Sequence, residues 1–275
     1  MKGRIDARVI VSYVLSFVLS LVILCGAALV AVEIGFFNQN SFISLVGRDY
    51  YGAVHEELVK SIRAYTIPTG IDVAVVEDVF SIEDVMSDLN GCMYSMFEGS
   101  EYTPDLTRMD DKLKSNMKAS FEGLELENQD AVMDAFVEDV NSIYVAGIKM
   151  PVLKYIVSAK TVYNRYLAPA LILLLGVASV ISTVLVMLYH RRYKGLRYVA
   201  YSFLAAAVMC FCVPFAILVS GVYKNLLFTP THFYNLMISY IRNGIVAFIG
   251  VAAFLAVFAV LLALFIGSMA KRRAR

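Results

Sequence analysis

Polar and apolar residues are segregated along this chain into long blocks. Apolar runs cover residues 9–32, 167–189, 198–222 and 244–267. Each is long enough to cross a hydrocarbon core, which takes ~20 residues of α-helix. The pattern predicts four transmembrane helices. In the intervening stretch, 38–165, apolar residues return at helical spacing instead. Tyr51, Val54, Leu58, Ile62 and Tyr65 share a face, and Pro68 with Gly70 closes that helix. Residues 72–80 fit a short helix or a strand equally well. Ser81 caps a helix with Ile82, Val85, Met86, Leu89, Met93 and Met96 on its apolar side. Pro104 is expected to open another, burying Leu106, Met109, Leu113 and Met117, and a last one carries Val132, Phe136, Val140 and Ile143. After Gly147 and Pro151 one helix is expected to run through Tyr155 and Tyr163 into the second span. The expected fold is an all-α membrane protein: four transmembrane helices, with a helical extracytoplasmic domain inserted between spans 1 and 2.

Composition agrees with a membrane protein. Hydrophobic residues make up 59% and charged residues 17%, against about 45–50% and about 25% in soluble domains. Of the 23 acidic residues, all but Asp6 and Glu33 lie between Asp49 and Asp139. Charge separated this sharply implies two environments. Of the cysteines, Cys25, Cys210 and Cys212 fall in apolar runs, which leaves Cys92 alone in the polar domain and no disulfide framework there.

Basic residues in short flanks set the orientation. Lys2, Arg4 and Arg8 lie in or border the N-terminal segment 1–8; Arg191, Arg192, Lys194 and Arg197 occupy the turn 190–197; Lys271, Arg272, Arg273 and Arg275 lie in the tail 268–275. The connection 223–243 holds only Lys224 and Arg242. Both termini and the 190–197 turn are therefore expected in the cytoplasm, with 38–165 and 223–243 outside. Tyr163, Tyr166, Tyr189, Tyr193, Tyr198, Tyr223 and Tyr240 fall near the span boundaries, as an interfacial belt requires in a chain without tryptophan. The first run is longer than a signal-peptide core, and Leu24 before Cys25 fails the small-residue requirement of a lipoprotein cleavage site, so an uncleaved anchor is expected. The absence of an Asn-x-Ser/Thr acceptor and the short basic N-terminus favour a bacterial cell membrane.

Candidate chemistry is sparse. Ser12, Ser16 and Ser20 recur every four residues and either admit a close neighbouring helix or are merely tolerated. Glu33 lies at the outer end of span 1, where it is expected to reach water. His55 borders an apolar helix face, and His55-Glu56-Glu57 lacks the second histidine of a metal-binding helix, so a packed or solvated histidine is the simpler reading. His232 and His55 meeting beside an acid would make a zinc site; His190 flanks the cytoplasmic turn. Asp130, Asp134 and Glu138 form a carboxylate stripe opposite a helix made basic by Arg108, Lys112, Lys114 and Lys118. Paired or solvated charges are the simpler reading, and divalent-cation binding, also open to Asp84 and Asp88, the sharper one. Cys210 and Cys212, two apart in a helix containing Pro214, point to different sides and do not chelate. No Asp, Glu, Lys, Arg or His lies at mid-depth in any span, which weighs against a coupled transporter. Phosphate-loop, nucleophile-elbow and Cys/His metal spacings are missing too, and the basic clusters are flanks, with no nucleic-acid patch.

Residues Asn38, Gln39, Asn40, Ser41 and Phe42 after an anchor, Tyr50-Tyr51, the Pro68-Thr69-Gly70 turn, Arg191-Arg192 and Leu196-Arg197-Tyr198 carry a resemblance. With them the chain resembles uncharacterised four-span membrane proteins of Gram-positive bacteria, a likeness that implies no activity and no site residue. The expectation is then architectural. It is a non-enzymatic integral membrane protein whose extracytoplasmic domain binds or senses a partner, as an accessory subunit among other membrane or envelope proteins, without a cofactor. An oligomeric channel or transport subunit is the alternative, and a metalloenzyme using His55 and His232 a third.

Overall fold

The computed structural model describes residues 7–122, 128–189, 192–226 and 231–272; side chains at 7, 151, 152, 192, 231, 232 and 272 fall outside the description. Described residues form nine α-helices and no strand. They are α1 (Ala7–Val32), α2 (Gln39–Leu45), α3 (Arg48–Thr69), α4 (Ile82–Glu98), α5 (Thr107–Ser120), α6 (Gln129–Ile148), α7 (Pro151–Met187), α8 (Arg192–Ser220) and α9 (Thr231–Arg272). Two compact units result. One contains residues up to Phe42, from Lys160 to the end of the described 192–226 stretch, and from Met237 onward; the other contains Ile43–Ala159 and the start of α9 up to Leu236.

The first unit holds the four apolar runs. Helical stretches Arg8–Phe37, Leu153–Met187, Tyr193–Ser220 and Phe233–Lys271 are each long and apolar enough to cross a membrane. Even the shortest, 28 residues, measures roughly 42 Å at a rise of ~1.5 Å per residue, more than the ~30 Å hydrocarbon core. Two clusters make up their interior: Ala27, Ala206, Ala207, Cys210 and Ala252 with Leu255, and Leu19, Leu185 and Val199. Many large apolar residues lie outside, with Leu173 68% and Phe254 71% exposed. Small side chains in the first cluster let helices approach closely, and large apolar side chains on the outside suit helices surrounded by lipid. These are the helices of a multi-pass membrane protein.

Helix α1 packs against α8. Ser12, Ser16 and Ser20 are buried, and Ser16 Oγ lies 2.8 Å from Ser202 Oγ. Ser16 also donates to the Tyr198 carbonyl at 3.0 Å, and Ser12 to Tyr189 Oη at 3.0 Å. The serine stripe is therefore a close helix contact. At its end α1 widens into a π-helical turn, Glu33–Phe37. Carbonyls at a helix end have no partner within the helix; here Tyr240 Oη donates to the Phe36 carbonyl at 2.6 Å and Asn243 Nδ2 to the Gly35 carbonyl at 3.4 Å. Gly35 permits this approach, since a Cβ there would stand 2.8 Å from Gly244 Cα.

The second unit is helical. Helices α3, α4, α5 and α6 pack on one another, and a 3₁₀ turn at Val73–Val76 covers α3 and α5. Tyr51, Val54, Leu58 and Ile62 are buried as expected, Gly70 ends α3 in the left-handed region at φ +72°, and the fifth buried position is Thr66 in place of Tyr65. On α4 the buried face is Val85, Leu89, Cys92 and Met93, with Met86 exposed. Helix α5 begins at Thr107, three residues after Pro104, because Asp105 accepts hydrogen bonds from the Thr107 N–H and hydroxyl. On α6 the buried stripe is Met133, Phe136, Val137, Val140, Tyr144 and Ile148. Val132 is exposed and Ile143 half-buried, a rotation by about one residue that brings Tyr144 inside. Residues 72–80 contain that 3₁₀ turn and no strand. Helix α9 starts at Thr231, well before the apolar run at 244, since no proline and no glycine interrupts residues 231–243.

Candidate functional site

Helix α4 supplies the base of a polar site in the second unit. Ser81 starts it with a reciprocal cap: Ser81 Oγ accepts from the Asp84 N–H at 3.2 Å, and Asp84 Oδ2 accepts from the Ser81 N–H at 2.8 Å. A cap of this kind satisfies two otherwise unpaired donors. Asp88 follows one turn later on the same face. At the other end Gly99, at φ +79°, reverses the chain, with its N–H donating to the Met96 carbonyl and the Ser100 N–H to the Ser95 carbonyl. The returning segment lays the Tyr102 ring over Gly91, where a Cβ would collide with it.

Tyr102 Oη donates to Asp88 Oδ1 at 2.7 Å, and Tyr144 Oη, from α6, donates to Asp88 Oδ2 at 2.7 Å. The carboxylate is clasped from both sides. Around it opens a cavity of about 350 Å³, lined also by Val79, Phe80, Asp84, Ser87, Asp105, Leu106, Arg108 and Met109. Phe80 forms one wall, edge-on to Tyr144 with ring centroids 5.1 Å apart and backed by His55 at 5.3 Å. Arg108 Nη1 stands 3.5 Å from Asp84 Oδ1, and its side chain is 72% exposed.

Burial, then the hydrogen bond to Asp88, pushes Tyr102 up to about 12. The same two causes raise Tyr144 well above the usual phenol range. Both therefore remain O–H donors at neutral pH. Hydrogen bonding by the Ser81 backbone, opposed by burial and reinforced by the Ser81 hydroxyl and Arg108, holds Asp84 below the usual carboxylate range. The Thr107 hydroxyl and N–H lower Asp105 likewise. The lining thus sets the carboxylates of Asp84, Asp88 and Asp105 against the single guanidinium of Arg108.

Other sequence candidates resolve differently. His55 packs on Phe80, with Nε2 3.4 Å from the Phe80 carbonyl. The His232 side chain and His190 lie outside the described residues, so the His55–His232 pairing does too. Asp130, Asp134 and Glu138 are exposed, and Asp134 ion-pairs with Lys114 at 2.8 Å. Among the described residues no group of three His, Cys, Asp or Glu side chains is placed to hold a metal ion. Cys210 is buried and Cys212 exposed, as opposite sides of a helix require. Glu33, expected to reach water, is half-buried, and its Oε2 is buried without a hydrogen-bond partner among the described residues.

Spacing in the sequence marks Asp84 and Asp88 but not Tyr102, Asp105 or Tyr144. Two glycines are the available signal: Gly99 turns the chain back, and Gly91 inside α4 leaves room for the returning Tyr102. Comparison with known protein families, with curated proteins and with solved structures gives no match.

Proposed function

We propose that this chain is a multi-pass protein of the cell membrane that carries residues 38–165 on the outer face and uses the Asp88 cleft there to bind a partner, as an accessory subunit of a membrane complex. The observation that carries the binding reading is the clasped carboxylate. Two neutral phenols fix Asp88 beside an aromatic wall, in a cavity within the ~300–1,000 Å³ range of ligand sites. Such a lining recognises a group and holds it in register. The orientation rests on the Lys and Arg of the N-terminal segment, the 190–197 turn and the tail.

Thr103, exposed between Tyr102 and Asp105, is the position from which to test the reading. A photo-crosslinking side chain placed there in living cells is expected to form one discrete adduct, lost in the Asp88→Asn variant. The same probe at exposed Glu138 is expected to form none. Equal adducts at both positions, or none at Thr103, would contradict a partner bound at the cleft.

A further inference from the structure

Electrostatics around the cleft favour a cation. Between residues 43 and 159 the chain carries 21 acidic and 9 basic residues, and the cleft repeats that imbalance on a small scale. A field of one sign focused by a cavity concentrates ligands of the other. The available acceptors belong to different residues. Asp105 takes both bonds from Thr107 on Oδ1, leaving Oδ2 open to a donor. Asp84 takes both Ser81 bonds on Oδ2, leaving Oδ1 to Arg108.

Arg108 shows that a cation is accepted there and how poorly this one fits. Its guanidinium makes one contact, at 3.5 Å, instead of the paired short bonds that a planar fork forms with a carboxylate. A compact ammonium with three divergent donors suits single, separated acceptors better. Tyr102, half-buried, gives the lining an aromatic ring, which attracts organic cations, while Phe80 and Tyr144 are buried. A bare divalent ion is a worse match, because both oxygens of Asp88 are already held by tyrosine hydroxyls.

Resting on the reading of the cleft as a binding site, we infer that it takes a primary ammonium group on an aliphatic stem, displacing the loosely held Arg108. Two sources carry that group: a free polyamine, or a lysine side chain of a partner protein.

Calorimetric titration of the full chain in detergent tests the inference with spermidine for the first source and Nα-acetyl-lysine methylamide for the second, against n-butanol as neutral control. One saturable site is expected for at least one amine and none for the alcohol; the tighter amine identifies the source. Asp105→Asn is expected to weaken binding about fivefold through loss of one charged acceptor. Arg108→Ala should tighten it about two- to fivefold, the range of a loose exposed ion pair. Glu138→Gln, which removes the same charge away from the cleft, is expected to leave affinity unchanged. Absence of saturable binding, weaker binding in Arg108→Ala, or equal losses in Asp105→Asn and Glu138→Gln would overturn the inference. Those failures leave the crosslinking at Thr103 free to succeed, so the ligand class and the partner reading stand or fall separately.

Discussion

Tyr144 is 1% exposed, and its hydroxyl is spent entirely on Asp88. Tyr144→Phe leaves the ring packing intact and deprives a carboxylate oxygen of its donor. Hydrogen bonds to charged groups contribute about 1.5–3 kcal/mol, so a stability loss of about 2 kcal/mol is expected, read by thermal or denaturant unfolding. The same residue predicts a pH dependence. Folding raises Tyr102 to about 12 from its ordinary value of 10.0, and raises Tyr144 in the same direction. A group whose folded pKa is raised contributes stability that is fully present below its unfolded pKa and is lost as pH rises through the folded value. Stability of the second unit is therefore expected to hold to about pH 10 and fall steeply towards about pH 12. Tyr144→Phe should flatten that fall, and an unchanged alkaline limb would contradict the clasp.

At the scale of elements, Gly91 decides whether the cleft has its second phenol. Alanine at a helix interior is favoured over glycine by about 1 kcal/mol, whereas forcing a side chain aside in a packed site costs about 1–3 kcal/mol. The cost exceeds the gain, and Tyr102 also gives up a hydrogen bond to a charged group, worth about 1.5–3 kcal/mol, so Gly91→Ala is expected to lower stability by about 2 kcal/mol or more. Tyr102 must leave Asp88, and amine binding to the cleft should drop under conditions where the variant is still folded; wild-type affinity would show that Tyr102 has no part in it. Helix existence was legible from apolar spacing, because a buried stripe repeats every three to four residues whatever it packs against. Register on α6 was less legible. Val132 and Met133 are equally apolar, and only packing with α3, α4 and α5 selects Met133 and brings Tyr144 inward. The start of α5 was misplaced for a local reason: Pro104 is compatible with a first helical turn, but the Asp105–Thr107 bonds postpone it. The serine stripe is an intermediate case: its spacing left a contact surface and mere tolerance of serine both open, and the bond between Ser16 and Ser202 decides for contact.

Across the whole molecule, two chemistries divide the chain. Acidic residues collect in 43–159, while the apolar helices keep their Asp, Glu, Lys, Arg and His residues towards the ends. That division was fully legible in the sequence, since it depends only on how residue types are ordered. The cleft was not: it is assembled from α4, the start of α5, α6, residues 79–80 and the fold-back after Gly99, and no local pattern reports that such pieces meet. Sidedness ties the two halves of the account together, because a partner-binding domain on the outer face requires the acidic unit and the basic turn to lie on opposite sides of the bilayer. Replacing the native cysteines and introducing Glu138→Cys or Lys194→Cys, both at exposed positions, makes that measurable in intact cells with a membrane-impermeant maleimide. Labelling of Glu138→Cys is expected in intact cells and of Lys194→Cys only after permeabilisation; the opposite pattern, or labelling of both in intact cells, would contradict an outward-facing acidic domain.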